Sequence, residues 1–222
     1  MTTGRGISWR ESSAVFHEQA ADYDKWFDGS LLFDIELSAV RELQTPLAEP
    51  KIEVGVGPGR FAQALHVTVG VDPALAPLQL ARTRNIEVIR AIGEQLPFAG
   101  RSFAAVYLLF TLCFLTAPRQ VIHECHRILR PGGHLVLGMV PAAGAWGRAL
   151  QAKKEKNHPF YRHASFYQGQ QVVDWLSGAG FSVVEKRSSL FQGPGELRAL
   201  EHSRPGLEEG AGFLLLVGEK SG

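Results

Sequence analysis

Glu53-Val54-Gly55-Val56-Gly57-Pro58-Gly59 ends a short apolar run that starts at Lys51, and it sets three glycines two positions apart. A strand that ends this way brings a ligand up to bare backbone, because glycine has no side chain to collide with it and permits a tight turn into a helix. Taken alone, the run also fits an ordinary strand-to-helix turn. The next apolar run, Thr68–Val71, leads into Asp72, 17 positions after Gly55. In an open parallel sheet that is the carboxyl end of the neighbouring strand, where a ribose diol needs an acceptor for two hydroxyls. Asp72 is equally placed to cap the helix that opens at Pro73.

Outward from this stretch, apolar runs rich in β-branched residues alternate with helical patterns, the signature of a parallel α/β sheet. Strands are expected at Lys51–Val56, Thr68–Val71, Glu87–Arg90, Phe103–Leu109, His134–Val140, Ser182–Lys186 and Phe213–Glu219. Helices are expected at Leu31–Gln44, at Pro73–Arg84 and at Pro118–Leu129; the last two open on proline in the first turn, and the third stops at Arg130-Pro131-Gly132-Gly133. Residues 1–30 and the polar, aromatic stretch 141–167 do not follow this alternation.

Composition narrows the class. The 222 residues, 45% hydrophobic and 20% charged, fill one ordinary domain over residues 1–222. Lys+Arg of 23 against Asp+Glu of 22 gives a net charge of +1, so no overall field draws nucleic acid or an anionic membrane. Cys113 and Cys125 are too few for a disulfide framework, which fits a reducing, cytoplasmic setting. The longest apolar run, Phe103–Ala117, is shorter than the ~20 residues that span a bilayer. The start Met1-Thr2-Thr3-Gly4 lacks a signal-peptide core.

Five motifs in order, Glu53–Gly59, Asp72, Gly93-Glu94-Gln95-Leu96-Pro97-Phe98, Phe103–Val106 and Arg130-Pro131-Gly132-Gly133, resemble those of class I S-adenosylmethionine-dependent methyltransferases of the type 11, ubiquinone/menaquinone-methyltransferase-like group. The resemblance covers roughly Lys51 to Val140. It implies a Rossmann-like, doubly wound, mostly parallel sheet of seven strands with the last antiparallel and helices on both faces. It also implies a helical entrance segment over residues 1–45, folded over the cofactor through Val15-Phe16 to Trp26-Phe27, and a substrate lid over residues 141–167.

Carried over by position, Glu53 orients the loop and meets the amino end of S-adenosyl-L-methionine, while Gly55, Gly57 and Gly59 line its methionine part. Asp72 holds the ribose hydroxyls, and the adenine lies between Pro73 with Ala74 and Gly93, Glu94 and Leu96, with Phe110 closing the cofactor set. Relatives often carry an acidic residue just before the Gly93 position; here it is Ile92, which shifts recognition of the adenine amino group to Glu94 or a backbone carbonyl.

Methyl transfer from a sulfonium asks the protein to align a nucleophile in line and to exclude water. The product is S-adenosyl-L-homocysteine, and a base is required only for an acceptor that is protonated at working pH. The acceptor is expected to be a small aromatic, thiol or amine molecule, methylated at oxygen, sulfur, nitrogen or carbon, with Tyr23, Thr111, Cys113 and Phe166 facing it. An apolar strand end packed beneath a helix is the competing account of Cys113. The Asn/Asp-Pro-Pro-aromatic motif of nucleic-acid and amide N-methyltransferases is missing after Leu109, which argues against nucleic acid as substrate. His158, Tyr161 and His163, in an aromatic stretch that suits a lid, are the candidate bases, although a surface helix with solvated histidines has the same composition.

No metal is expected. His123-Glu124-Cys125-His126 is one residue short of His-Glu-x-x-His, and Cys125 points away from the face shared by the two histidines. A nucleotide-dependent oxidoreductase would need G-x-G-x-x-G, but Arg60 occupies the position after Gly59. A non-catalytic, cofactor-binding regulatory module is the remaining alternative. The chain is expected to work as a monomer or a homodimer.

Overall fold

The computed structural model describes residues 9–221; the Met1-Thr2-Thr3-Gly4 start lies outside them. Helices α1 (Trp9–Glu18), α2 (Ala20–Lys25) and α3 (Leu31–Arg41) precede the alternating β1 (Lys51–Val54), α4 (Arg60–Ala64), β2 (Val69–Asp72), α5 (Leu75–Thr83) and β3 (Glu87–Arg90). β4 (Phe103–Leu109), a 3-10 turn (Leu112–Phe114), α6 (Pro118–Ile128), β5 (Leu129–Met139), α7 (Ala145–Glu155) and α8 (Gly169–Gly178) follow, and β6 (Phe181–Ser189), β7 (Arg204–Pro205) and β8 (Phe213–Lys220) complete the chain.

The strands form one sheet in the order β3-β2-β1-β4-β5-β8-β6-β7. β1 to β5 run parallel, and β8 inserts antiparallel between β5 and β6. The Rossmann-like, mostly parallel sheet with an antiparallel last strand is therefore present, with one addition: the two-residue β7, which pairs Arg204 with Ser188 at the edge of β6. β5 also starts five residues before the expected His134. Leu129 pairs with Phe103, and the register slips between Phe103 and Ala105 as the Gly132-Gly133 turn is taken into the strand.

Alternation along the central strands divides two cores. Val106 and Leu108 of β4, Leu135 and Leu137 of β5, and Leu214 and Leu216 of β8 meet α6 and α8 on one face. Ala105, Tyr107 and Leu109, with Val136, Leu215 and Val217, meet α3, α4 and α5 on the other. α6 shows why this sequence is helical: Pro118 takes the first turn, where no N–H is needed, and Val121, Ile122, Cys125 and Ile128 form one buried stripe. Ser30 caps α3, its Oγ accepting from the Phe33 N–H at 3.3 Å. The consequence for the site is positional: the carboxyl ends of β1, β2 and β4 open at one rim, where crossover turns leave backbone groups free for a ligand.

Candidate active site

Glycine decides the floor of that rim. Gly55, Gly57 and Gly59 all take positive φ (+77°, +51° and +81°). A Cβ on Gly55 would lie 2.2 Å from Thr111 Oγ1, and one on Gly59 would lie 2.5 Å from Ile86 Cδ1. Gly59 thus lets α4 and α5 close together and lines neither of the two cavities at this rim, whereas the resemblance implies that all three glycines face the cofactor. Gly55 and Gly57 do line the cleft.

Asp72 bonds backbone N–H groups of two turns. Its Oδ1 accepts from Ala74 N–H at 2.8 Å in the turn before α5, which leaves the helix itself, with Ala74 as N-cap, without the expected side-chain cap, and its Oδ2 accepts from Gly57 N–H at 3.0 Å, tying the glycine loop to β2. Burial lifts its pKa to about 6 against the lowering effect of these two N–H groups, so the carboxylate is mostly ionised at neutral pH.

Two adjoining cavities share Phe16, Tyr23, Gly55, Gly57 and Phe110 in their walls. The first, about 110 Å³, is lined by Asp72, Pro73, Ile92, Gly93 and Glu94. Thr111 belongs to this cavity and not to the second, and its Oγ1 donates to Leu109 O at 3.0 Å. Glu94 takes the N–H of Ala117 on Oε1 at 3.2 Å, which fastens the cavity wall to the start of α6. Leu96 lies outside both cavities: it is 4% exposed in the α6 core and its N–H goes to Glu124 Oε2 at 2.9 Å.

The second cavity, about 440 Å³, extends over Glu53 toward α3, α7 and the 156–167 segment. Glu53 is 3% exposed, with Oε2 buried and without a hydrogen-bond partner, and burial pushes its pKa well above the usual carboxylate range. Phe110 holds the junction at φ +55°, a conformation that costs a residue with a side chain about 1 kcal/mol. Its ring stacks on Phe213 at 4.7 Å.

Aromatic rings close the roof. Tyr23 of α2 and Phe16 of α1 meet Phe160 at 5.6 and 5.2 Å, and Trp26 meets it at 4.9 Å, so the entrance helices and the 141–167 stretch clasp each other. That stretch is a closed excursion, with Ala142 N–H bonded to Tyr167 O at 2.9 Å and Ser165 N–H to Cys113 O at 2.7 Å. Below it, Asp24 receives Arg60 at 2.7 Å and Arg84 at 2.8 Å, and Arg84 reaches Pro58 O at 2.8 Å, pinning α2 to the glycine loop. Burial works to raise the Asp24 pKa, but the two guanidinium groups win and hold it below the usual value.

The expected acceptor side chains separate. Tyr23, Cys113, Phe166, His158 and Tyr161 line the second cavity; His163 does not. Burial pushes the Cys113 thiol up to about 12 and the Tyr23 and Tyr161 phenols above their ordinary value, so none of the three ionises near neutral pH. His158 keeps an unpartnered, buried Nδ1, and burial with Lys153 nearby lowers its pKa, which leaves a neutral imidazole.

Glu36, on α3, is the wall residue that sequence reasoning passed over. It is 8% exposed, it faces the second cavity, and burial alone drives its pKa well above the usual range. The signal was legible: with Leu32, Ala39, Val40 and Leu43 it occupies the apolar stripe of α3, where a charge is out of place. Of the His123-Glu124-Cys125-His126 run, Cys125 is fully buried in the core and His126 packs edge-on against Phe181 at 5.0 Å. Among the described residues, no group of three His, Cys, Asp or Glu side chains is placed to hold a metal ion.

Residues 52–137 match a family model described as a methyltransferase domain. An uncharacterised protein of Mycobacterium tuberculosis (strain ATCC 25618 / H37Rv) is 38% identical over 209 residues, which is 92% of this chain and 73% of that protein. A demethylmenaquinone methyltransferase of Clavibacter sepedonicus is 28% identical over 79% of this chain and 84% of its own. A Thermotoga maritima structure, described as an S-adenosylmethionine-dependent methyltransferase and possible histamine N-methyltransferase, superposes with a TM-score of 0.88 at 33% identity, covering 95% of this chain and 100% of its own.

Proposed function

This chain belongs to the class I S-adenosylmethionine-dependent methyltransferases of the type 11, ubiquinone/menaquinone-methyltransferase-like group and transfers methyl to a small molecule, and we propose that its two cavities divide the work, the first for the nucleoside and the second for the acceptor. The observation that supports this reading is the wall that the two cavities share at Gly55, Gly57 and Phe110, across which two bound ligands would meet. The donor set fits the cofactor: bare backbone at two glycines, an ionised Asp72 at the strand end for the ribose, and the unpartnered Glu53 Oε2 for the amino end.

S-adenosylmethionine supplies a methyl group on positively charged sulfur, ready for in-line displacement. The protein's part is positioning and exclusion of water. Phe16, Tyr23 and Phe160 cover the junction, the 1–45 segment acts as entrance and 141–167 as lid, and Asp24 locks the entrance through Arg60 and Arg84. Of the three expected bases, His158 alone offers the second cavity a neutral, unpartnered nitrogen. Tyr161 acts as a hydrogen-bond donor, and His163 takes no part.

Calorimetric titration with S-adenosylmethionine, S-adenosylhomocysteine and NADH tests the reading. Both sulfur compounds bind and NADH does not; a folded protein that binds neither sulfur compound overturns it. Binding without turnover on any small aromatic, thiol or amine compound would instead favour a regulatory module.

A further inference from the structure

The second cavity has an apolar, aromatic wall with one group that its packing does not explain. Glu36 sits nine-tenths buried on α3, aimed into the cavity, and it makes no hydrogen bond or ion pair with any described residue. A carboxyl left this way costs several kcal/mol relative to water unless a ligand compensates it. Among the described residues, none of the cations around the cavity pairs with Glu36. Arg60 is spent on Asp24 and on Asp28 at 2.8 Å, Lys153 sits exposed with Nζ 5.7 Å from the Tyr161 ring, and His158 is neutral. What Glu36 lacks is a positive partner, and the rings of Tyr23, Trp26, Phe160 and Tyr161 in the same wall are surfaces that cations favour.

We infer that the methyl acceptor is an amine, held as its ammonium by the Glu36 carboxylate within this aromatic wall. The inference deepens the acceptor side of the methyltransferase reading and rests on it. Transfer then balances within the site. The ammonium proton passes to a Glu36 oxygen and the N–H pair stays on nitrogen; that pair forms the N–CH3 bond as the S–CH3 pair stays on sulfur. This leaves a methylated ammonium, the thioether product and a protonated Glu36. A buried carboxyl of raised basicity suits that proton transfer.

The test uses the full chain saturated with S-adenosylhomocysteine and titrated with 2-phenylethylamine, tyramine and 2-(imidazol-4-yl)ethylamine, each beside the alcohol that replaces its amine. At least one amine binds tenfold or more tightly than its alcohol, and Glu36→Gln reduces that preference to less than threefold while S-adenosylhomocysteine affinity stays within twofold. The unchanged affinity also shows that the isosteric variant folds. Equal binding of amines and alcohols, no binding of any amine, or a preference that survives Glu36→Gln overturns the inference and leaves the methyltransferase reading intact. A Glu36→Gln loss of S-adenosylhomocysteine binding in a protein that still melts cooperatively also overturns it, because the carboxyl would then serve the cofactor. Failure of the wild-type chain to bind S-adenosylhomocysteine would instead fail the methyltransferase reading itself.

Discussion

The first cavity is made largely of backbone and the second largely of side chains. Around the first, strand ends and glycine turns set the shape, and single positions admit a single residue type: Gly55 has no room for a Cβ, and Asp72 bonds two N–H groups from two turns. Around the second, α1, α2, α3, α7 and the 156–167 segment each lend rings, and any one ring can change while its neighbours still exclude water. Substitutions in the first should therefore act steeply on the cofactor, and those in the second should grade the acceptor.

The steepest effect is expected at Gly55. Gly55→Ala combines a positive φ with overlap of the new Cβ on Thr111, so S-adenosylhomocysteine binding should fall more than 100-fold by calorimetry. Gly132→Ala is the control, since Gly132 has φ +73° but nothing within 4 Å of an added Cβ. It should cost about 1 kcal/mol of stability and leave binding untouched. Equal loss in both variants would mean that torsion, not close approach, governs the loop.

Asp72→Ala comes next. Loss of a charged acceptor for the ribose, at about 1.5–3 kcal/mol for a hydrogen bond to an ionised group, should weaken S-adenosylhomocysteine roughly 10- to 100-fold. The wild type carries its own version of this experiment. With the Asp72 pKa raised to about 6 and the ionised form the better acceptor, affinity should be flat above pH 7 and decline as pH drops through 6. Asp72→Ala should abolish the slope, and a slope that persists would assign it to another group.

The same contrast explains what could be read from the chain alone. Gly55, Gly57, Asp72 and Gly93 lie within 39 positions of one another, and their spacing is imposed by strand-turn-helix geometry, which the sequence pattern records. Leu96 fell outside because a motif carries its packing residues along with its binding ones, and in this chain Leu96 belongs to the α6 core. Glu36, Arg60 and Phe16 come to the second cavity from three separate helices, and no local spacing announces such a meeting. β7 could not be foreseen either: two residues pair with β6 because Glu42, on the far side of the chain, takes the Ser203 N–H and Oγ at 2.8 and 2.6 Å.

Asp24→Ala would loosen the entrance helices that both cavities share. Among the described residues, removing it leaves Arg60, at 21% side-chain exposure, with Asp28 as its one carboxylate partner and Arg84, at 14%, with Pro58 O alone, a change worth about 1–3 kcal/mol once partial solvent screening is allowed for. The Asp24 pKa is lowered, so its contribution is present above the usual carboxylate pKa and is lost as pH falls through the lowered value. Urea melts should show the variant's deficit at pH 7 and its disappearance at strongly acidic pH. A constant deficit would make the effect one of packing.

The smallest effects belong to the lid, and they sharpen the contrast most. Tyr161→Phe keeps the ring that faces Phe114 at 6.2 Å and deletes only the hydroxyl. Because burial holds that phenol protonated well above neutral pH, the variant loses a hydrogen-bond donor and no base. Amine affinity of the S-adenosylhomocysteine complex should fall two- to fivefold, in line with a net worth of about 0.5–1 kcal/mol for a neutral hydrogen bond, and S-adenosylhomocysteine affinity should not move. His163→Ala, between the wall residues Tyr161 and Ser165 but itself outside both cavities, should change neither quantity. If Tyr161→Phe shifted cofactor affinity as strongly as Asp72→Ala, the two cavities would be one energetic unit, and the division between backbone-made and side-chain-made walls would fail.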